Sequence, residues 1–374
     1  MYDSISLFSG AMGLDLGLEK AGINFKLCQD YDVSCYETML VNNRPGMTGD
    51  IREIDSGTIL KKAGLKKGEA FLLCGGPPCQ PFSTAGKRMG INDPRGSLFM
   101  DFVRMVDETR PRFFIFENVK GLTSIAVDKG GKPGGVLEII VSELEKLGYS
   151  TVHSLLDAVY FGVPQFRERM IIIGSRDHEA IFLPAPTHFQ QHQNKEMRWV
   201  TLGETIRDLE DNPGPCTHFS EERLKYLRMI PEGGNWRDLP ANIQPAAMGG
   251  AWKSGGGKVG FFRRLSYSQP SPTVVTSPVQ KATMMCHPIK DRPLSVREYA
   301  RIQQFPENWT ITGTITNQYK QIGNAVPVGL AEAVGKAVIA AANGTSTIKT
   351  KRNRGTSVHN NLFHLEGGNS NGNQ

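Results

Sequence analysis

The sequence lacks the cysteine patterns that are typical of metal-binding and disulfide-stabilised proteins. Its 374 residues include six cysteines, and no two of them form a CxxC pair. No histidine completes a zinc-binding spacing with them. A zinc module and a disulfide framework are therefore both excluded, and we expect reduced thiols at Cys28, Cys35, Cys74, Cys79, Cys216 and Cys286.

Membrane and export signals are also missing from the sequence. No apolar run approaches the roughly 18 residues needed to cross a bilayer. The first residues, MYDSISLFSG, lack the basic start and apolar stretch of a signal peptide. We therefore expect a cytoplasmic protein with no membrane partner. The net charge of +6 favours a polyanionic partner but is too small to identify one.

What the sequence does contain is an alternation of short apolar runs and helical patterns up to about residue 175. This alternation predicts an α/β fold with a mainly parallel sheet covered by helices. The composition, with 39% hydrophobic residues, supports a substantial core. The predicted strands are Ile5–Phe8, Phe25–Asp30, Phe71–Cys74, Phe113–Glu117 and Met170–Gly174.

Further along the chain the regular pattern stops and later returns. Helices are predicted at Leu98–Val106, Val136–Leu147, Val296–Gln304 and Val328–Ala342. Between the second and third of these lies Pro, Gly, His and Gln-rich sequence, which predicts a smaller irregular domain. We divide the chain into a core domain at 1–185, the irregular domain at 186–285, a segment at 286–343 that returns to the core, and a tail at 344–374. The tail lacks the apolar content to fold, so we expect it to be disordered.

A glycine turn follows the first predicted strand, at FSGAMG in 8–13. Such a turn lets a ligand approach the backbone closely. Asp30 lies 20 residues beyond Gly10, a spacing at which an acidic side chain receives a ribose hydroxyl. The pair favours an adenosine-containing cofactor, although a purely structural turn explains two glycines and an acid equally well.

Cys79 lies in the loop GGPPCQPFS at 75–83, directly after the third predicted strand. Open α/β sheets bind ligands at the carboxyl ends of their strands. The two prolines before the thiol stiffen the loop, and the polar residues after it do not suit a core. A buried, inert thiol is the ordinary interpretation of a single cysteine, and this setting weakens it.

Acidic and basic side chains accompany the next strands. Glu117 ends the apolar run RFFIF, so its carboxyl group would emerge at the same sheet edge as Cys79, and burial would raise its pKa. Gln165, Arg167 and Arg169 alternate before and into the last strand. They would share one side and bind a phosphate or base edge, or stabilise a thiolate. A solvated glutamate and a salt-bridged surface strand remain the alternatives.

The order and spacing of eight such blocks resemble the DNA cytosine-5 methyltransferase family, of the prokaryotic restriction-modification type. The blocks are FSGAMG, the acid after the second strand, GDI at 49–51, PPCQPFS at 77–83, ENV at 117–119, QFRER at 165–169, RPLSVREYARIQQFP at 292–306 and QIGNAVP at 321–327. The sequence departs from the family at Met12, where a second glycine is usual, and at Asp30, where glutamate is common.

The resemblance implies a Rossmann-like, S-adenosylmethionine-dependent methyltransferase fold and a DNA (cytosine-5)-methyltransferase activity. The thiolate of Cys79 would add to carbon 6 of cytosine, and Glu117 would neutralise the ring at N3. Arg169 and Arg167 would hold the base carbonyl and favour the thiolate. The cofactor pocket would comprise Phe8, Gly10, Gly13, Asp30, Tyr31, Asp50, Ile51, Pro78, Leu98, Asn324 and Val326.

The resemblance also implies double-stranded DNA as substrate, with the target base flipped out of the helix. The segment 83–97 would close over the site, and 186–285 would be the target-recognition domain, with its basic and aromatic run at 252–264. No metal is expected. The residues predicted to contact DNA are Gln80, Ser83, Lys87, Arg88, Arg95, Arg263 and Arg264.

Three other functions stay open from the sequence. The nearest is an RNA cytosine-5 methyltransferase of similar architecture, which the large variable region disfavours. A non-catalytic DNA-binding protein is disfavoured by the intact set of Cys79, Glu117 and Arg169. A nicotinamide oxidoreductase would depend on the glycine turn alone. The expected biological setting is a monomer that acts beside a cognate restriction endonuclease and protects host DNA.

Overall fold

The computed structural model describes residues 2–78, 98–126 and 131–345. The predictions at Cys79, Gln80, Ser83, Lys87, Arg88 and Arg95, and for the tail beyond residue 345, lie outside these ranges. The strands are Asp3–Leu7 (β1), Asn24–Asp30 (β2), Gly46–Thr48 (β3), Leu72–Gly75 (β4), Phe113–Val119 (β5), Ser150–Asp157 (β6) and Glu168–Ser175 (β7).

Helices follow or separate most of these strands. They are Gly13–Lys20 (α1), Val33–Val41 (α2), Ser56–Ala63 (α3), Leu98–Thr109 (α4), Gly135–Lys146 (α5), Leu202–Ile206 (α6), Glu221–Leu227 (α7), Gln244–Met248 (α8), Val296–Ile302 (α9), Ile315–Asn324 (α10) and Val328–Ala342 (α11). The four predicted helices are confirmed, with boundaries that differ by up to three residues.

The seven strands form one sheet in the order β3-β2-β1-β4-β5-β7-β6. The first five strands of the chain pair in parallel, and β7 runs antiparallel to both β5 and β6. The predicted α/β class is therefore confirmed. The carboxyl ends of β1, β2, β4 and β5 lie at the same sheet edge as the amino end of β7, since Val119 pairs with Arg169.

Two strands were missed by the sequence patterns, for different reasons. β3 has only three residues, too few to show a period. Every residue of β6 is half-buried or exposed, so its sequence, STVHSLLD, does not show the apolar run of an interior strand. It lies at the outer edge of the sheet, where only one neighbour pairs with it.

Two hydrophobic clusters cover the two faces of the sheet, and the C-terminal helix α11 contributes to one of them. α11 packs on α1 through small residues. A Cβ atom on Gly17 would lie 2.3 Å from the Val328 carbonyl oxygen, and one on Gly335 would lie 2.7 Å from the Ala21 Cβ. The stretch Ile315–Ala342, which contains α10 and α11, is long and apolar enough to cross a membrane. Half of its most apolar part is, however, buried inside the protein.

The region between β7 and α9 has a different construction. Within the described residues it contains no β-strand. Its regular structure is limited to short helices and to single pairs of bridged residues. Its own hydrophobic cluster comprises Phe219, Leu227, Ile230, Leu239, Phe262, Met284 and Cys286. This irregular architecture agrees with the sequence pattern, and the boundaries at 185 and 285 stay a prediction.

Candidate active site

The turn after β1 adopts a backbone conformation that few side chains tolerate. Phe8, Gly10 and Met12 have φ angles of 55°, 55° and 68°. Left-handed backbone costs a residue with a Cβ atom roughly 1–2 kcal/mol, which explains the preference for glycine that the family resemblance implies at position 12. Met12 is fully buried, so its packing into the core offsets this cost.

Asp30 closes the turn by accepting two backbone hydrogen bonds. Its Oδ2 accepts from the Gly10 N–H at 2.7 Å, and its Oδ1 accepts from the Asp32 N–H at 2.8 Å. Burial raises the pKa of the Asp30 carboxyl, and the two N–H groups oppose this rise. The 20-residue spacing seen in the sequence therefore corresponds to a direct contact between the glycine turn and the acid.

The two predicted cofactor glycines serve different purposes. A Cβ atom on Gly10 would meet nothing within 4 Å, so the space beside this turn is open to a ligand. A Cβ atom on Gly13 would lie 2.2 Å from the Val326 carbonyl oxygen. Gly13 is thus required for the close packing of α1 against the segment before α11, which brings Val326 to the turn.

The remaining residues of the predicted pocket come from loops around the same sheet edge. Tyr31 is 72% exposed, and Pro78 and Asn324 are also exposed, whereas Ile51 is buried. Asp50 is paired with Arg52, whose Nε lies 2.9 Å from the Asp50 Oδ1. Phe8 and Leu98 are half-buried. The described residues contain no group of three or more His, Cys, Asp and Glu that would hold a metal ion.

Glu117 and Arg169 form an ion pair at the junction of β5 and β7. The Arg169 Nε lies 2.8 Å from the Glu117 Oε1, and each residue is 8% exposed. Burial raises the pKa of Glu117, as predicted, while the charges of Arg169 and Arg167 act to lower it. The Glu117 Oε2 lies against Gly76, where an added Cβ would be 2.5 Å away. The carboxyl group therefore borders the loop that leads to Cys79.

Asn118 fixes the same loop and was not singled out from the sequence. Its side chain is buried, and the Nδ2 donates to the Pro77 carbonyl oxygen at 3.0 Å. Its Oδ1 accepts from the Val119 N–H at 2.9 Å. The signal was an amide in an otherwise apolar strand, since a buried amide requires partners for its donors and acceptors.

Arg167 corrects the expectation that both arginines of QFRER serve one pocket side by side. It precedes β7, is 1% exposed, and donates to the carbonyl oxygens of Val274 and Gly323 at 2.8 and 2.7 Å. Gln165 is equally buried, and its Nε2 donates to the Gln303 Oε1 at 2.9 Å. These side chains bind three distant segments together, whereas only Arg169 is paired with Glu117.

Arg264 likewise corrects the expectation of a DNA contact. It is 5% exposed, and one of its five N–H groups donates to the Asp291 carboxylate at 2.6 Å. The other four donate to backbone carbonyls, those of Leu227, Ile230, His287 and Lys290. A guanidinium with every donor occupied in the interior has none left for a phosphate. Arg263 is half-buried and donates to the Met284 carbonyl oxygen at 3.0 Å.

At least 90% of the chain is similar to bacterial proteins named as Type II methyltransferases. Type II methyltransferase M.PspPI of Psychrobacter is 41% identical over 353 residues, which cover 90% of this chain and 79% of that one. Type II methyltransferase M.Eco47II of Escherichia coli is 39% identical, over 91% of this chain and 79% of its own. Type II methyltransferase M.Sau96I of Staphylococcus aureus is 38% identical, with coverage of 90% and 76%.

Solved structures share the fold at lower sequence identity. A prophage-encoded Escherichia coli protein, described as a DNA modification methyltransferase, superposes with a TM-score of 0.65 at 22% identity and covers 92% of this chain. A DNMT2 variant of Spodoptera frugiperda superposes with a TM-score of 0.58 at 17% identity. The sheet is thus that of the Rossmann-like methyltransferases.

A family model matches almost the whole chain, and this length supports the family assignment. The C-5 cytosine-specific DNA methylase family matches residues 2–340, which include both the glycine turn and the segment that returns to it. The expectation from the eight sequence blocks is confirmed. The chain belongs to the C-5 cytosine-specific DNA methylase family and is a DNA cytosine-5-methyltransferase.

Proposed function

We propose that this enzyme methylates carbon 5 of a cytosine that is flipped out of double-stranded DNA, at a specific sequence, through a covalent adduct with Cys79. The observation that carries the proposal is the buried pair of Glu117 and Arg169 beside the loop that leads to Cys79. The Type II names of the relatives support a restriction-modification setting, in a bacterial cytoplasm and beside a cognate endonuclease.

The chemical difficulty is that carbon 5 of an aromatic cytosine is a weak nucleophile. Addition of the Cys79 thiolate to carbon 6 forms a carbon–sulfur bond and moves an electron pair into the ring. Glu117 is suited to neutralise that charge with a proton at N3, because burial raises its pKa. After methylation the proton on carbon 5 leaves to a base, the thiolate is eliminated, and the N3 proton returns to the Glu117 carboxylate, which restores the neutral aromatic ring.

Arg169 is the positive group of the proposed base pocket. It keeps Glu117 in place through the 2.8 Å ion pair, and a nearby cation also favours the thiolate form of a cysteine. Arg167 acts differently, because its Nη1 and Nη2 donate to the backbone carbonyl oxygens of Val274 and Gly323. It positions the strand that carries Arg169, and its charge adds to the field at Glu117.

The cofactor pocket fits an adenosyl group by two observations. The space beside Gly10 is open, and the buried carboxyl of Asp30 lies directly against that turn. When bound, S-adenosylmethionine supplies an electrophilic methyl group. Asp30 and the exposed Tyr31 would contact the ribose and base at the end of β2, and the turn at Phe8 and Gly10 would hold the amino acid portion.

Flipping the base costs a few kcal/mol, which contacts with the DNA must offset. The predicted contacts at Gln80, Ser83, Lys87, Arg88 and Arg95 remain part of the proposal. In the target-recognition domain Arg264 is buried, so the phosphate contacts would come from exposed cations such as Lys253 and Lys281. Exposed ammonium groups neutralise phosphates, and this attraction weakens as salt rises.

One assay tests the proposal. Purified protein is incubated with methyl-labelled S-adenosylmethionine and duplex DNA, tRNA or neither, and Cys79→Ala is compared with Cys216→Ala, a half-exposed cysteine in another part of the fold. We expect transfer to duplex DNA alone, and a loss of roughly a thousandfold or more only in Cys79→Ala. Transfer to tRNA alone, or an active Cys79→Ala protein, would contradict the proposal. Bisulfite sequencing would then identify the recognition sequence.

A further inference from the structure

Arg104 on α4 contacts the loop after β3 that carries two residues of the predicted cofactor pocket, Asp50 and Ile51. Its Nη2 donates to the Ile51 carbonyl oxygen at 2.7 Å, and its Nη1 donates to the Ile54 carbonyl oxygen at 3.3 Å. The two carbonyls are three residues apart, so one guanidinium spans the whole turn. No sequence block singled out this arginine.

Two acids on the same helix hold the guanidinium in this orientation. The Arg104 Nη2 lies 3.2 Å from the Asp101 Oδ1, and its Nη1 lies 3.3 Å from the Glu108 Oε2. The three residues are spaced as neighbours on one helix face. Asp101 is well covered, with 13% of its side chain exposed. The fork geometry of arginine allows it to meet both acids and both carbonyls at once, which a lysine cannot do.

The opposite side of the loop is held by β2. The buried side chain of Gln29 donates from Nε2 to the Gly49 carbonyl oxygen at 2.6 Å. The Gly49 N–H in turn donates to the Asp30 carbonyl oxygen at 3.3 Å. The loop is therefore fixed between β2, which ends in the cofactor acid, and α4, which begins at Leu98, another residue of the predicted pocket.

We propose that Arg104 is a positioning residue for cofactor binding: it sets the turn at 50–54 against the pocket and links that turn to α4. The inference rests on the proposed function. Arg104 acts through backbone atoms of Ile51 and Ile54 rather than by contact with the cofactor. Its loss should therefore weaken cofactor affinity while the chemistry at Glu117 and Arg169 is retained once the pocket is full.

The test compares Arg104→Met and Arg104→Lys with Arg297→Lys, an exposed arginine on α9 that is paired with Glu307. Isothermal titration calorimetry with S-adenosylhomocysteine gives Kd, and methyl transfer to duplex DNA gives KM for S-adenosylmethionine and kcat. We expect Arg104→Met to raise Kd and KM at least tenfold, because two charge-assisted hydrogen bonds are lost. We also expect kcat at saturating cofactor to change less than about twofold.

Arg104→Lys keeps the charge but can reach only one carbonyl, so we expect a Kd between those of the wild type and Arg104→Met. If Arg104→Met does not fold, the lysine variant carries the test. The inference would be overturned if both Arg104 variants kept the wild-type Kd, or if kcat fell while Kd stayed unchanged. An equal rise in Kd in Arg297→Lys would also overturn it. Absence of S-adenosylhomocysteine binding by the wild-type protein would instead overturn the proposed cofactor.

Discussion

Two buried arginines, Arg169 at the edge of the sheet and Arg264 in the irregular region, are used in opposite ways. At the edge of the sheet, the Arg169 Nε is paired with a single carboxylate, that of Glu117. In the irregular region, Arg264 satisfies four backbone carbonyls and Asp291. The first arrangement leaves a charged pair beside the loop that leads to Cys79, and the second leaves no donor unused.

The difference follows from the backbone. Strands satisfy their own N–H and C=O groups through the sheet, so side chains at strand ends are free for chemistry. The described residues between β7 and α9 form no β-strand, so the backbone carbonyls of the turns there need hydrogen-bond donors from side chains. An arginine with five fixed donors supplies them. The charge of a buried arginine is therefore a weak indication of a nucleic-acid contact, as Arg264 and Arg167 both show by donating to backbone carbonyls.

Replacement of Glu117 by Gln tests whether the pair at the sheet edge serves chemistry. Gln keeps the shape but cannot donate the acid proton, so we expect kcat for methyl transfer to fall by about 10²–10⁴. Glu168→Gln, one strand away and paired with the exposed Lys120, is the matched control. Near wild-type activity in Glu117→Gln would mean that this pair is a scaffold, as Arg264 is, and the contrast between the regions would fail.

Replacement of Arg264 by Met tests the scaffold role in the irregular region. The change removes the five hydrogen bonds that the buried guanidinium donates, and removal of one partner from a buried charged network costs about 3–5 kcal/mol. Urea unfolding should show this loss. Arg228→Met is the control, since Arg228 is exposed and its Nε lies 3.7 Å from the same Asp291. Unchanged stability in Arg264→Met together with weakened DNA binding would restore the original expectation.

The two regions also contain buried titratable groups whose contributions to folding stability change with pH in opposite directions. In the sheet region burial raises the pKa of Asp15 to about 7, and the neighbouring charge of Glu19 adds to this rise. In the irregular region burial lowers the pKa of His287 to about 3. Between pH 4 and 7 folded Asp15 retains a proton that the unfolded chain releases, so its contribution to stability is lost as pH rises. His287 contributes stability that is lost as pH falls from about 6.5 to 3.

We expect Asp15→Asn to remove a slope of at most about 1.4 kcal/mol per pH unit in the free energy of unfolding. The variant should therefore gain stability relative to the wild type as pH rises from 4.5 to 7. His287→Gln should gain stability relative to the wild type as pH falls from about 6.5 to 3. Urea unfolding at several pH values measures both, and parallel curves for wild type and variant would contradict the corresponding assignment.

Much of the site could be predicted because its residues stand at strand ends in a strongly patterned sheet. The glycine turn, Asp30 and Glu117 were found in this way. β3 and β6 were missed because one is short and the other lies at a half-exposed edge, so neither has a clear period. Asn118 and Arg104 were missed because their partners are backbone atoms of Pro77, Ile51 and Ile54. The amide in an apolar strand was a signal for Asn118, but the sequence does not mark which carbonyl accepts its hydrogen bond.

The sequence by itself determined the α/β class, through the periodicity of its apolar residues, and the family, through the resemblance of its eight blocks to known members. Only the tertiary structure decided which charged side chains have free donors. Arg167 and Arg169 are two residues apart, yet one binds carbonyls of Val274 and Gly323 and the other pairs with Glu117. Folding brings close partners that are distant along the chain, and the identity of these partners sets the role of each arginine.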